Sequence, residues 1–171
     1  MTEPAWQARG AWRFLVAPGW DRPGFDATLA QLGFLVQKSA APLAPPSRHR
    51  VERTSLPGDG EPIDAVVKTY GLQSAWRDRR AARIGSKAER AFRNALLLRA
   101  AGVGTPAPIA VAERWEGARL RESRFVAAYV PDLGNLRDEL DRLYAQAPRC
   151  APLMDLLQAV ADAVRGLHDA G

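Results

Sequence analysis

The 171-residue sequence is poor in cysteine and histidine and lacks any long apolar run free of charge. Its one cysteine, Cys150, cannot form an internal disulfide and lies in no metal-ligand spacing, which favours a reducing compartment. No stretch of about 18 uncharged apolar residues is available to span a bilayer. The segment after Met1 has no basic stretch followed by an apolar one, so no secretory signal is expected. These absences predict a cytoplasmic protein.

Positive charge is in excess, with a formal net charge of +5 and a pI near 10.0. Such a balance favours an anionic partner: a nucleotide, a nucleic acid, a phospholipid surface or an acidic glycan. The excess is concentrated in one stretch, where only Asp78 and Glu89 oppose it. A solvated helical face and an anion-binding surface both explain this stretch. Its basic residues are Arg77, Arg79, Arg80, Arg83, Lys87, Arg90 and Arg93.

Lys68 stands near the end of an otherwise apolar, β-branched run from Ile63 to Tyr70, which predicts a strand. Lysine is rarely placed in such a setting without a partner. Because strand side chains alternate between faces, Val66 and Lys68 share one side and combine an apolar surface with an ammonium group. This suits a nucleotide, with its apolar base and anionic phosphates. A lysine that extends to solvent from an edge strand is the alternative.

Strand-like segments before and after this region predict two hairpins. The first pairs the strand from Arg48 to Ser55 with the lysine strand, through a turn rich in proline and glycine. The second pairs a strand from Ile109 to Trp115 with one from Arg124 to Val130. Weaker signals upstream are a strand at Trp12 to Val16 and a helical pattern at Phe25 to Leu32.

Helical patterns fill most of the remaining chain. Ser86 and Glu89 form a capping box that opens a helix, and Gly102 is placed to end it. Strands with one helical insertion, followed by helices only, predict the α+β class. Shorter helical patterns lie at Gln73 to Ile84 and, capped by Asn135, at Leu136 to Tyr144. The last helix is amphipathic, with an apolar stripe of Met154, Leu157, Val160, Ala161, Val164 and Leu167.

In order and spacing, several segments resemble a protein-kinase-like fold and, within it, the lipopolysaccharide kinases that phosphorylate Kdo or heptose in the inner core. The segments are Val66 to Tyr70, Gly85 to Ala88, Gly102 to Pro108, Phe125 to Pro131 and Leu167 to Gly171. The resemblance implies a kinase-like N-terminal lobe over residues 36–130, with an antiparallel sheet and a helix. The hinge and the start of a helical C-terminal lobe follow at 131–171, and residues 1–35 stay unassigned.

The resemblance also implies a nucleotide site. Lys68 would be the strand lysine that holds the α- and β-phosphates of ATP. Val66 would pack against adenine, with Val51 from the preceding strand as a second wall. In the hinge, backbone carbonyl and amide groups would bond the edge of adenine. The hinge residues would be Ala128, Tyr129 and Val130.

Two features depart from the pattern of the resembled family. The loop from Ala40 to Ser47, before Val51, contains no glycine, which puts phosphate contacts from its backbone amides in doubt. The family's lysine pairs with a glutamate of the next helix, and Glu89 is the candidate partner here. Counting back from Gly102 places that position nearer Ala91, and two residues along a helix correspond to about 200° of rotation. The capping box is therefore the alternative role of Glu89.

The family's catalytic loop has no counterpart in this sequence, which ends where the preceding helix would end. The aspartate that orients the acceptor and the residues that bind metal would come later in the chain. No catalytic residue and no metal ligand is therefore expected here, and the ligands of Mg²⁺ are expected beyond Gly171. The chain is expected to be inactive alone and to expose the apolar stripe of its last helix.

The function implied is ATP-dependent phosphorylation of an inner-core sugar hydroxyl by a longer protein, with ATP and Mg²⁺ as cofactors. The basic stretch would face an anionic glycolipid or the inner membrane surface, so a peripheral position there is an option. A small-molecule phosphotransferase of the antibiotic or choline type keeps the fold and changes the acceptor. A non-catalytic basic module for RNA or membrane is the alternative from another class. Because the tryptophans are scattered and form no recognised motif, nucleic-acid binding is not expected.

Overall fold

The computed structural model describes residues 4–30, 41–42, 49–57, 61–70, 83–131 and 136–169. Within these ranges the strands are β1 (Trp6–Arg9), β2 (Trp12–Val16), β3 (Ala41–Pro42), β4 (His49–Leu56), β5 (Ile63–Tyr70), β6 (Pro108–Glu116) and β7 (Arg119–Ala128). The helices in the same ranges are α1 (Phe25–Ala30), α2 (Lys87–Ala100), α3 (Leu136–Gln146) and α4 (Ala151–Asp169). The predicted α+β class is confirmed. Most of the helix predicted at Gln73 to Ile84, and the cap at Asn135, lie outside the described residues.

One antiparallel sheet contains all of these strands, in the order β1-β2-β6-β7-β5-β4-β3. Both predicted hairpins, β4 with β5 and β6 with β7, are confirmed. Strand β7 begins at Arg119, earlier than the predicted Arg124, because a tight turn lets Glu116 pair with Arg119. Gly117 occupies this turn with a φ of 57°, a conformation that glycine adopts without strain. The strand ends at Ala128, before the predicted hinge is complete.

The N-terminal segment that the sequence left unassigned is part of the same sheet. Strands β1 and β2 form a hairpin, and β2 continues the sheet by pairing with β6, where Phe14 lies opposite Ala112. Phe14 and Leu15 are both fully buried, although neighbouring strand residues point to opposite faces. A strand covered on both faces reads as a continuous apolar run, which explains why its sequence signal was weak.

Helices cover both faces of the sheet, and we call these the α2 face and the α1 face. On the α2 face, Phe92 and Ala88 pack with Leu15 and Val111, and Phe125 contacts this cluster. On the α1 face the core is larger and includes both aromatic and aliphatic side chains. Its buried members include Phe14, Val16, Phe25, Leu29, Leu56, Val67, Ala112 and Val126.

The ends of α2 match the sequence prediction. The hydroxyl of Ser86 accepts a hydrogen bond of 3.0 Å from the backbone N–H of Glu89, so the predicted N-cap is confirmed. Ser86 is fully buried and also accepts a 3.1 Å hydrogen bond from the hydroxyl of Ser123 in β7, which ties the helix start to the sheet. Gly102, with a φ of 75°, follows the last turn as a left-handed C-terminal cap.

A buried ion pair anchors the N-terminal hairpin. The carboxylate of Glu113 is fully buried, and its Oε2 accepts hydrogen bonds from Arg13 Nε at 2.7 Å and Trp115 Nε1 at 2.8 Å. Arg13 Nη2 lies 2.6 Å from the same oxygen. The guanidinium carbon also lies 4.2 Å from the ring centroid of Trp6 and 4.6 Å from that of Trp115. One arginine thus connects β1, β2 and β6.

The chain divides into two compact units, one of Met1–Leu96 with Pro106–Tyr129 and one of Leu97–Thr105 with Val130–Gly171. The boundary after Tyr129 lies next to the lobe boundary expected at residue 130. In the second unit, Leu143 of α3 and Leu153 of α4 are buried. Among the described residues, no helix combines the length and the apolar character needed to cross a membrane.

The expected exposed stripe on α4 is present. Leu157, Val164 and Leu167 are 43%, 46% and 42% exposed, while Val160 is half-buried. Val160 follows Leu153 by seven positions, so it lies on the same side of the helix as that buried residue. The apolar face of α4 is therefore covered along one edge only.

Candidate functional site

Lys68 is held on an interior strand, on the α2 face of the sheet. It lies opposite Val51 of β4 and Phe125 of β7, so β5 is hydrogen-bonded on both sides. This excludes the alternative of a lysine on an edge strand. The side chain is half-buried, and its Nζ lies 5.5 Å from the ring centroid of Tyr70.

Carboxylates on the neighbouring elements are paired with arginines rather than with Lys68. Their ion pairs are Arg50 with Glu52, Arg53 with Asp64 and Arg93 with Glu89. Within the described part of the chain, Lys68 has no carboxylate partner. A half-buried ammonium group without a counter-ion can receive an anionic ligand at little cost in broken contacts.

An apolar strip lies next to Lys68 on the same face. Val66 is directly opposite Ala127 of β7, and Val51 is directly opposite Lys68. Val51 and Val66 are half-buried, whereas Ala127 is buried. The structure thus brings Val51, Val66 and Lys68 together, as the alternation of strand side chains predicts. Their contact with a nucleotide stays a prediction.

Two backbone amides of the predicted hinge take part in hydrogen bonds within the sheet region. The N–H of Ala128 donates to the carbonyl of Ala107 at 2.8 Å, and the N–H of Tyr129 donates to the carbonyl of Asp64 at 2.9 Å. Because sheet pairing occupies both amides, neither is available to the edge of a base. Val130 belongs to the second unit and is 56% exposed.

The side chain of Tyr129 takes part in a contact that the sequence reasoning missed. The guanidinium carbon of Arg53 lies 3.9 Å from the centroid of the Tyr129 ring. Arg53 Nη2 also lies 2.6 Å from Asp64 Oδ2, and this hydrogen bond is the main cause that raises the pKa of Arg53 above its ordinary value. The only sequence signal was the alternation along β4, which places Arg53 on the same face as Val51.

Glu89 has a different partner from the one implied by the resemblance. Its Oε1 accepts a 3.1 Å hydrogen bond from Arg93 Nε, one helical turn further along α2. The same carboxylate also packs against Gly85, where an added Cβ would lie 2.7 Å from Oε2. The side chain of Glu89 therefore turns back over the start of its own helix. Its pairing with Lys68 stays a prediction.

Tyr70 lies beside Lys68, on the side away from Val66. Burial raises the pKa of the Tyr70 phenol above its ordinary value, and the positive charge of Arg90 acts in the opposite direction. The charge of Arg90, on α2, therefore reaches the ring that Lys68 approaches. Lys68 and Arg90 thus direct two positive charges toward the ring of Tyr70.

A similarity to a solved structure bears on the fold. No protein-family profile and no curated protein matches the chain. A solved structure, WaaP in complex with acyl carrier protein, matches with a TM-score of 0.52 and 24% sequence identity. The match covers 91% of this chain and 56% of that chain.

The fold is kinase-like. The match confirms the fold class that the sequence predicted, and at this identity it bears on the fold alone. The chain spans little more than half the length of the WaaP chain.

The basic stretch is described only in part. Arg77, Arg79 and Arg80 lie outside the described residues. Arg83, Lys87 and Arg90 are exposed, whereas Arg93 is bonded to Glu89. Arg83 precedes α2, and Lys87 and Arg90 lie exposed on its first turns.

The described residues around Lys68 form no cluster of metal ligands. Over the described ranges, no group of three or more acidic, histidine or cysteine side chains is arranged to hold a metal ion. A cavity lined by Trp20, Phe25 and Ile63, among others, lies with the α1-face core and is separate from the strip. The candidate site, as far as it is described, combines a half-buried cation with an apolar strip.

Proposed function

We propose that this chain is the nucleotide-binding part of an ATP-dependent kinase. The observation that carries the proposal is Lys68, a half-buried lysine without a carboxylate partner among the described residues, beside the strip of Val51 and Val66. The kinase-like fold supports it. A base can pack on the strip while phosphate oxygens meet the ammonium group.

The chemistry available to these residues is binding and orientation. Phosphoryl transfer depends mainly on positioning and on electrostatic stabilisation of the phosphates. Lys68 would supply a compact charge to the α- and β-phosphates. The described residues contain no carboxylate cluster that fits Mg²⁺.

For the acceptor, we propose a sugar hydroxyl of the lipopolysaccharide inner core. The support is the resemblance of the five segments, in order and spacing, to the kinases that act on Kdo or heptose. The exposed Arg83, Lys87 and Arg90 suit an anionic glycolipid or the inner membrane surface, where each basic residue contributes about 1 kcal/mol. A small-molecule acceptor would use the same nucleotide site and differ only in residues that contact the acceptor.

The four tryptophans in the described residues have contacts that do not favour an RNA-binding module. Trp6 and Trp115 flank Arg13, and Trp12 stacks on Phe14 at 6.3 Å. Trp20 packs on Phe25 near the α1-face core. Since these rings already have intramolecular partners, they do not form a platform on which bases could stack.

The decisive test is the binding of ATP to the Lys68→Met variant, measured by isothermal titration calorimetry. A hydrogen bond to a charged group contributes about 1.5–3 kcal/mol, so the affinity should fall roughly ten- to a hundredfold. Lys87→Met is the matched control, because Lys87 is an exposed lysine on α2 and its loss changes the net charge equally. Its affinity should stay close to that of the wild type.

Two results would contradict the proposal. One is a Lys68→Met variant that binds ATP as tightly as the wild type. The other is an equal loss in both variants, which would mean that ATP responds to net charge rather than to this site. The acceptor is tested separately, by incubating the complete gene product with labelled ATP and unphosphorylated inner-core lipopolysaccharide. Transfer of the label to a small-molecule alcohol, with none to the lipopolysaccharide, would reject the sugar acceptor.

A further inference from the structure

The contact between Arg53 and Tyr129 crosses strand β5. Arg53 belongs to β4 and Tyr129 follows β7, and these two strands pair with opposite sides of β5. Their side chains nevertheless meet, with 3.9 Å between the guanidinium carbon and the ring centroid. Tyr129 must therefore extend over β5 near Asp64, whose carbonyl accepts its N–H.

This contact closes the apolar strip at one end. Along β5, the α2 face presents Asp64, Val66 and Lys68 in turn. Arg53 and Tyr129 lie at the level of Asp64 and Val66, and the ammonium group lies at the other end. Asp64 and Lys68 are four positions apart along the strand, a span of about 13 Å. The space between suits a base and ribose with phosphates directed at Lys68.

Asp64 fixes the arginine in this position. Its carboxylate bonds Arg53 Nη2 at 2.6 Å, and its carbonyl accepts the N–H of Tyr129. A single residue thus orients both partners of the stack. A guanidinium is planar and favours contact with aromatic faces, which a lysine ammonium cannot reproduce.

We propose that Arg53 is a positioning residue for the nucleobase: it holds the Tyr129 ring as the outer wall of the base-binding half of the site. This inference rests on the proposed nucleotide-binding function. It assigns Tyr129 a side-chain role in place of the backbone role expected for the hinge. It also separates the site into a base end, at Arg53 and Tyr129, and a phosphate end, at Lys68.

The experiment measures the affinities of ATP, adenosine and inorganic tripolyphosphate by calorimetry. The test variants are Arg53→Ala, Arg53→Lys and Lys68→Met. The matched control is Arg50→Ala, because Arg50 lies on the same strand, faces the other side and is bonded to Glu52 at 2.6 Å. Urea unfolding followed by tryptophan fluorescence confirms that each variant is folded.

Arg53→Ala should weaken adenosine and ATP by the same factor, roughly three- to tenfold, and leave tripolyphosphate unchanged. Lys68→Met should do the reverse, weakening ATP and tripolyphosphate but not adenosine. Arg53→Lys should bind adenosine no better than Arg53→Ala, since it keeps the charge but loses the planar stack. Arg50→Ala should match the wild type for every ligand.

The two proposals can fail separately. If Lys68→Met loses ATP while Arg53→Ala binds adenosine normally, the nucleotide site stands and the role of Arg53 is rejected. Full recovery in Arg53→Lys would likewise reject it, because charge alone would then be sufficient. A wild-type chain that binds neither ATP nor adenosine would overturn both proposals.

Discussion

Replacing Arg13 by methionine should strongly destabilise the first unit. Glu113 is fully buried, and among the described residues Arg13 supplies two of the three donors that reach its Oε2. Its Oε1 is buried with no hydrogen-bond partner in the same residues. Once Arg13 is removed, Trp115 is the one described donor left to this buried carboxylate. Methionine has similar length and fills the same apolar space, so the main loss is the counter-ion.

The expected magnitude follows from burial. Removing one partner of a buried ion pair costs about 3–5 kcal/mol. The side chain of Arg13 is 35% exposed, so water can partly reach Glu113 in the variant and the lower end, about 3 kcal/mol, applies. Domains of this size have a free energy of unfolding of about 5–15 kcal/mol, so the loss should be easily measured.

Urea unfolding followed by tryptophan fluorescence is the suitable assay, because all the described tryptophans, Trp6, Trp12, Trp20 and Trp115, lie in the first unit. A second variant, Arg13→Met with Glu113→Leu, should recover most of the loss, since it removes the unpaired charge. Arg121→Met is the control: Arg121 pairs with Glu116 at 2.8 Å on the exposed end of the β6–β7 hairpin. Its loss should cost less than about 1 kcal/mol.

The reasoning would be refuted if Arg13→Met cost no more than Arg121→Met. It would also be refuted if the double variant were less stable than Arg13→Met. In the first case Glu113 would be tolerated without its partner, and in the second the two side chains would not be coupled.

Two other predictions concern α2 and the strand facing it. Because burial raises the pKa of Tyr70 above its unfolded value, its contribution to stability is complete below about pH 10 and is lost as the pH rises through the folded-state pKa. Tyr70→Phe should remove this alkaline loss, and Arg90→Gln should raise the Tyr70 pKa further; absorbance at 295 nm and urea unfolding against pH measure both. Ser86→Ala should cost about 1–2 kcal/mol in urea unfolding, because the N–H of Glu89 loses its cap in a buried site. Ser123→Ala keeps that cap and should cost less; equal costs would show that the cap contributes nothing.

Local signals predicted the elements that local chemistry specifies. The N-cap at Ser86 and the stop at Gly102 depend on a few adjacent residues. The shared face of Val66 and Lys68 follows from strand alternation alone. These features could therefore be deduced without knowing what packs against them.

Other features depend on distant partners and have no local signal. The hydrogen bonds from the amides of Ala128 and Tyr129 to Ala107 and Asp64 are of this kind. The place of β1 and β2 in the sheet depends on pairing with β6, far along the chain, and no local pattern indicates it.

The sequence by itself determined that Lys68 lies on an apolar strand and shares a face with Val66, because the period of a strand is a local property. Only the tertiary structure decided that this strand is interior and that its neighbouring carboxylates pair with arginines. It also brought Arg53 to Tyr129 across β5. Strand order and register are set by contacts between segments distant in sequence, and these contacts determine which charges are neutralised and which stay available to a ligand.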